Sequence, residues 1–67
     1  MMDIILNGKP LSLEGGITVE TLLTARGYDG KLVAVAVNGE FLPKAEYQKF
    51  IVSHNNEIEI VAPMQGG

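Results

Sequence analysis

The chain has 67 residues, 46% of them apolar, and a formal net charge of −3 from five basic and eight acidic side chains. This length supports one small domain with little room for a deep side-chain active site. The sequence contains no cysteine and one histidine, which excludes disulfides, thiolate metal ligands and a multi-histidine metal site. No Lys/Arg run is present to neutralise a phosphate backbone, so nucleic acid is not an expected partner. We expect no metal and no cofactor bound by this chain.

The longest apolar run, residues 32–37, is far shorter than the roughly 20 residues that span a bilayer. The first residues do not resemble a signal peptide. We therefore expect a cytoplasmic protein without a membrane partner.

The first half of the chain predicts a β-hairpin followed by a short helix. Two strand-like runs, 3–6 and 10–13, flank Asn7-Gly8, a dipeptide that accepts the positive φ angles of a tight turn. Thr18 is placed to cap a helix over residues 19–26, and Gly27 to end it.

The second half predicts three more strands. Residues 32–37 are apolar throughout, a pattern typical of a central strand covered on both faces. Asn38-Gly39 turns this run into a strand at 40–42, and Pro43 ends that strand before a short helical turn at 44–47. Residues 57–61 alternate as a strand with Ile58 and Ile60 on the core face.

These elements predict an α+β fold, with a mixed sheet of four or five strands and one main helix packed on one face. The predicted core consists of the inward positions, namely Ile4, Leu6, Leu11, Leu13, Val19, Leu22, Leu23, Val35, Val37, Ile58 and Ile60. The aromatic residues are expected to pack in or beside it, namely Tyr28, Phe41, Tyr47 and Phe50. Strand alternation places Ile5, Ala34, Ala36 and Val61 on the opposite face, and this uncovered apolar face predicts a surface that docks a protein partner.

We divide the chain into a domain at 1–61 and a flexible C-terminal tail at 62–67 that ends in Gly-Gly. Glycine lacks a Cβ atom, so such an end can pass through a narrow slot of a partner. Met64, Gln65 and Gly66 would thread the slot and present the carboxylate of Gly67. A frayed terminus without a role is the competing interpretation.

Taken together, these segments resemble the sulfur carrier protein of thiamine biosynthesis. The likeness covers nearly the whole chain and includes the segment 35–43, the closing strand, and the ending Pro63-Met64-Gln65-Gly66-Gly67. The resemblance implies a β-grasp, ubiquitin-like fold. It also implies that Gly67 is adenylated by an E1-like enzyme using ATP and magnesium, converted to a thiocarboxylate with a sulfur donor such as a cysteine desulfurase, and used by thiazole synthase. No side chain is then catalytic, and the protein is a sulfur donor acted on by enzymes.

Three alternatives stay open at this point. The small subunit of molybdopterin synthase and the ubiquitin-like protein modifiers share the fold and the Gly-Gly end. A β-grasp interaction module with no carrier role is an alternative of a different class. Dispersed acidic residues disfavour an autonomous enzyme, because they fall on turns and on the solvent faces of strands.

Overall fold

The computed structural model describes residues 1–28 and 32–62. In chain order its elements are β1 (Met2–Leu6), β2 (Lys9–Leu13), α1 (Val19–Ala25), β3 (Ala34–Val37), β4 (Glu40–Leu42), a short 3-10 helix (Lys44–Glu46) and β5 (Glu57–Val61). The predicted order of a hairpin, one helix, two strands, a helical turn and a last strand is confirmed.

The five strands form one mixed sheet in the order β2-β1-β5-β3-β4. The first and last strands of the chain, β1 and β5, pair in parallel, and all other neighbours are antiparallel. The central strand is therefore β5. This parallel pair holds the C-terminal strand in the middle of the sheet.

The prediction that residues 32–37 form a strand covered on both faces is wrong. The strand β3 begins only at Ala34, and Leu32 before it is 70% exposed. Ala34 is exposed and Ala36 is partly buried, while Val35 and Val37 are buried. Within the described residues, α1 packs on one face of the sheet, so apolar side chains on the other face stay open to solvent.

Both Asn-Gly pairs form the predicted tight turns. Asn7 and Gly8 have φ angles of 50° and 82°, and Asn38 and Gly39 have φ angles of 52° and 84°. Two successive positive φ angles define the type I′ turn, whose twist matches that of the flanking strands. These turns therefore set the register of the hairpins β1–β2 and β3–β4.

The helix α1 is capped at both ends by local hydrogen bonds. The Thr18 hydroxyl accepts the N–H of Thr21 at 3.1 Å, which confirms the predicted N-cap. The helix ends at Ala25, one residue earlier than predicted, and Gly27 follows with a φ of 84°. Gly27 N–H donates to the Thr24 carbonyl at 3.1 Å, and Tyr28 N–H donates to the Leu23 carbonyl at 2.8 Å. This pair of bonds is the Schellman motif.

The predicted core is confirmed. Nine of its members are buried, and Leu11 and Leu13 are partly buried against them. The structure adds Met2, Leu42 and Val52 to the buried set. Of the aromatic residues, Tyr47 is buried and Tyr28 and Phe50 are partly buried, but Phe41 is 70% exposed, so its predicted packing is wrong.

The connection from β4 to β5 packs beside the start of α1. The Val19 N–H donates to the Phe50 carbonyl at 3.0 Å, and the Glu20 N–H donates to the Tyr47 carbonyl at 2.9 Å. These bonds satisfy donors of the first helical turn that have no partner within the helix. The connection thereby closes the core on the helix side and leaves the opposite face of the sheet open.

Candidate docking surface

The open face of the sheet carries the outward residues of all five strands. By strand alternation these are Asp3, Ile5, Pro10, Ser12, Ala34, Ala36, Phe41, Glu57, Glu59 and Val61. The face is mixed in character, with apolar residues concentrated on β3, β4 and the end of β5. A surface of this kind on a small domain is suited to a protein contact.

Four of these residues form a contiguous apolar surface, which we call the outer patch: Ala34, Ala36, Phe41 and Val61. In the register of the sheet, Ala34 lies directly opposite Val61, and Ala36 lies directly opposite Phe41. Directly opposed residues in antiparallel strands have Cβ atoms about 4.5–5.5 Å apart. The two large members are well exposed, Phe41 at 70% and Val61 at 63%. The outer patch therefore presents an aromatic ring and an aliphatic side chain around a shallow floor of alanines.

Ile5, the fourth residue predicted for the docking face, lies apart from the outer patch. It sits on β1, on the other side of β5, where its register partner is Glu57. It is partly buried and lines a cavity of about 160 Å³ together with Gly8, Gly39, Glu57, Ile58 and Glu59. The structure thus brings together three of the four predicted residues and separates Ile5 from them by glutamates.

The open face is acidic. Asp3, Glu57 and Glu59 point outward, and no outward strand position in the described residues is a lysine or an arginine. Glu59 lies directly opposite Ala36, so a carboxylate borders the outer patch. Opposite charge across an interface steers and orients a partner, so this surface suits a partner that offers apolar contacts with basic residues around them.

Phe41 was absent from the predicted docking residues although the sequence contains a signal for it. A two-residue turn at Asn38-Gly39 pairs residue 37 with 40 and residue 36 with 41. Placing Ala36 on the open face therefore places Phe41 on the same face. The hydrophobicity of Phe41 predicts a buried side chain, but the register of the hairpin determines which face of the sheet that side chain occupies.

A serine, an aspartate and the single histidine lie near one another at the edge of the open face. The Ser12 hydroxyl donates to Asp3 Oδ1 at 2.6 Å, and the Asp3 backbone N–H donates to His54 Nδ1 at 2.9 Å. A nucleophilic serine needs a base that takes its proton, and here no hydrogen bond joins Ser12 to His54 within the described residues. The arrangement ties the turn before β5 to β1 and gives no nucleophile–base pair.

Two other features are absent from the part of the chain that the structure describes. In residues 1–28 and 32–62, no three or more His, Cys, Asp or Glu side chains are grouped so that they could hold a metal ion. Over the same ranges no helix has both the length and the apolar character needed to cross a membrane.

The strand β5 ends at Val61, and Ala62 follows as an exposed residue outside the sheet. The predicted site residues Met64, Gln65, Gly66 and Gly67 lie outside the described residues. Val61 links the predicted docking face to the predicted tail in sequence, because it belongs to the outer patch and directly precedes residues 62–67.

Curated relatives include longer proteins. The chain is 38% identical over 66 residues to a thiazole synthase of Paramagnetospirillum magneticum and 35% identical over 66 residues to a thiazole synthase of Magnetococcus marinus. Each match covers 98% of this chain and 20% of the relative. The chain thus spans about a fifth of the length of these relatives.

A solved structure and a family model match the chain over nearly all its length. The crystal structure of a thiamine biosynthesis protein, ThiS, from Geobacter metallireducens superposes with a TM-score of 0.81 at 30% identity, covering 98% of this chain and all of that one. Its solution structure gives the same TM-score and covers 88% of that chain. The predicted β-grasp, ubiquitin-like fold is thereby confirmed. The model of the ThiS family matches residues 4–67. The chain therefore belongs to the ThiS family, and its predicted resemblance to the sulfur carriers of thiamine biosynthesis is confirmed.

Proposed function

We propose that this protein carries sulfur for thiazole formation as a thiocarboxylate on Gly67. The observation that carries the proposal is the family match, which runs to the end of the sequence and includes Gly66 and Gly67. An E1-like enzyme would adenylate Gly67 with ATP and magnesium, a sulfur donor would convert the adenylate, and thiazole synthase would receive the sulfur. The proposal requires a free α-carboxyl group at Gly67.

The chemistry fits the composition of the chain. An α-carboxylate is ionised at neutral pH and attacks the α-phosphorus of ATP, and pyrophosphate leaves. Hydrosulfide then attacks the acyl carbon, and AMP leaves with the bonding electrons. Where the donor is a persulfide, as on a cysteine desulfurase, its terminal sulfur attacks instead, and a thiol reductant then cleaves the resulting acyl disulfide to the thiocarboxylate. The chain has no cysteine, so the sulfur is not held as a persulfide on this protein. The reacting group belongs to the main chain, and we assign no catalytic step to a side chain.

Thiazole synthase is the proposed acceptor because of the curated relatives. They are named thiazole synthases and are about five times as long as the segment that matches this chain. This relation favours thiazole formation over the molybdopterin and protein-modifier alternatives. It also favours a carrier over an interaction module without a covalent role.

We further propose that the outer patch docks the E1-like enzyme. Its position supports this, because Val61 ends the strand that leads directly into the C-terminal segment. A partner that holds Val61 and Phe41 would fix the start of that segment at the mouth of its own active site. Ile5 and the glutamates beside it would contact the rim of the same interface.

The experiment that tests the carrier role is an intact-mass measurement. The protein is incubated with ATP, magnesium, sulfide and an E1-like activating enzyme. We expect a gain of about 16 Da confined to the Gly67 peptide, because sulfur replaces one carboxyl oxygen. Deleting Gly66 and Gly67 should abolish the gain and leave the fold intact.

Gly15→Ala is the matched control for this deletion. Gly15 lies in the folded part of the chain, and a Cβ there meets no heavy atom within 4 Å. This variant should gain the same mass as the wild type. Absence of any gain, with an activating enzyme that modifies another carrier in the same buffer, would overturn the carrier proposal.

A further inference from the structure

The side chain of Asn7 extends the pairing of β1 and β5 beyond the end of β1. The register between these strands ends at Leu6 and Ile58. The Asn7 backbone N–H then donates to the Ile58 carbonyl at 2.9 Å, and Asn7 Oδ1 accepts the N–H of Ile60 at 2.8 Å. In a continuous strand a backbone carbonyl would accept this N–H. Here the chain turns away at Gly8, and the amide side chain supplies the acceptor instead.

This bond holds the end of the strand from which the C-terminal segment leaves. On the β3 side, the last residues of β5 are held by the pairing of Ala34 with Val61. On the β1 side, the bond to the Asn7 side chain is the last hydrogen bond to β5 within the described residues. Ile60 is 6% exposed with Asn7 in place, and the bond between them is partly buried, so the Asn7 side chain covers this N–H as well as accepting from it. An unsatisfied buried donor is costly, so the end of β5 would open more often.

We propose that Asn7 is a positioning residue for the carrier reaction: it fixes the end of β5 and thereby the direction of the chain at Val61 and Ala62. The proposal rests on the carrier function proposed above. When the end of β5 is fixed, less conformational entropy is lost as Gly67 binds in the partner's active site than when this end is free to open. If this end of β5 opens, Val61 leaves the outer patch and the direction of the chain at Ala62 is no longer fixed.

Asn38 supplies a matched control within the same molecule. It occupies the same position of a second type I′ turn, with a φ of 52° against 50° for Asn7. Its Oδ1 accepts the N–H of Glu57 at 2.8 Å. The bond length and donor type are the same, but Glu57 begins β5 and Ile60 lies near its end. The two asparagines therefore differ in which end of β5 they hold, and in burial, since the bond of Asn7 is partly buried and that of Asn38 is exposed.

The experiment compares Asn7→Gly with Asn38→Gly. Glycine keeps the positive φ of the turn and removes the side chain that carries the acceptor. Both changes add the same freedom to the unfolded chain, so this contribution to global stability is equal in the two variants. Amide hydrogen exchange is measured at Ile60 and Glu57, and the kcat/KM of adenylation is measured by pyrophosphate exchange while each variant is fully folded.

We expect Asn7→Gly to speed exchange at Ile60 and to lower kcat/KM about 2- to 10-fold, the range of one lost hydrogen bond. Asn38→Gly should speed exchange at Glu57, leave Ile60 slow, and change kcat/KM less than twofold. Asn7→Asp keeps an acceptor at the same position and should restore slow exchange at Ile60 and most of the activity.

Two kinds of failure are distinguishable. If the wild-type protein gains no sulfur and is not adenylated, the carrier function fails, and the positioning role in that reaction fails with it. If the wild type is adenylated normally but Asn7→Gly loses no more kcat/KM than Asn38→Gly, only the positioning role is overturned. Unchanged exchange at Ile60 in Asn7→Gly would overturn it as well.

Discussion

Ile58 illustrates how much a single side chain contributes to a domain of this size. It is 1% exposed and lies on the central strand β5, under the helix side of the sheet. Ile58→Ala should lower the free energy of unfolding by about 2–5 kcal/mol, because it removes buried methyl and methylene groups and leaves a cavity. Urea denaturation followed by circular dichroism measures this change. Small domains have little stability to lose, so partial unfolding at 25 °C would agree with the upper end of this range.

Leu32→Ala is the control for this prediction. Leu32 is also a large aliphatic residue, but it is 70% exposed and lies outside the strands. Its truncation should change the free energy of unfolding by less than about 0.5 kcal/mol. Equal losses in the two variants would contradict the assignment of the core to the helix side of the sheet.

At the scale of elements, the end of α1 depends on the backbone of Gly27. This residue follows the helix with a φ of 84°, a region that costs a residue with a Cβ roughly 1–2 kcal/mol. Gly27→Ala should therefore lower the free energy of unfolding by about 1 kcal/mol, measured by urea denaturation. The space around it is open, since a Cβ there meets no heavy atom within 4 Å, so the loss would come from the backbone alone.

Gly15→Ala provides the comparison for the helix end. Gly15 is likewise exposed with open space around it, but its φ lies outside the left-handed region. Alanine there should be neutral or slightly stabilising, because it reduces the freedom of the unfolded chain. A Gly27→Ala protein as stable as the Gly15→Ala protein would contradict the Schellman end of α1.

At the scale of the whole molecule, the open face and the helix layer should contribute differently to partner binding. Ala34→Lys places a positive charge in the outer patch, where the expected partner is apolar and basic. We expect the KM of the activating enzyme for this carrier to rise about tenfold or more, equivalent to a loss of about 1.4 kcal/mol or more of binding free energy. The measurement is pyrophosphate exchange at several concentrations of carrier.

Ala25→Lys makes the same substitution on the opposite layer of the molecule. Ala25 is an exposed alanine in the last turn of α1, away from the open face. The KM of the activating enzyme for the Ala25→Lys protein should match that for the wild type. Both variants should unfold cooperatively with similar midpoints of urea denaturation. A similar rise in KM for both variants would mean that net charge, not the outer patch, governs the encounter.

The sequence by itself determined the elements and most of the core, because both depend on local chemistry. Asn-Gly pairs require positive φ angles, Thr18 offers a hydroxyl to the first helical turn, and alternation separates Ile58 and Ile60 from their neighbours. The Gly-Gly ending and the family resemblance also came from the sequence. These features need no knowledge of which strands are neighbours.

Only the tertiary structure decided which strand is central, which apolar residues remain exposed, and what the asparagine side chains hold. Residues 32–37 and Phe41 are hydrophobic, yet Leu32 and Phe41 are both 70% exposed, because Leu32 precedes β3 and Phe41 lies on the face that does not receive the helix. Ile5 shares the open face but is separated from the outer patch by the glutamates of β5, a consequence of strand order. The bond from Ile60 to Asn7 joins residues 53 positions apart. Such long-range pairings are set by the packing of the whole chain, so no local pattern in the sequence specifies them.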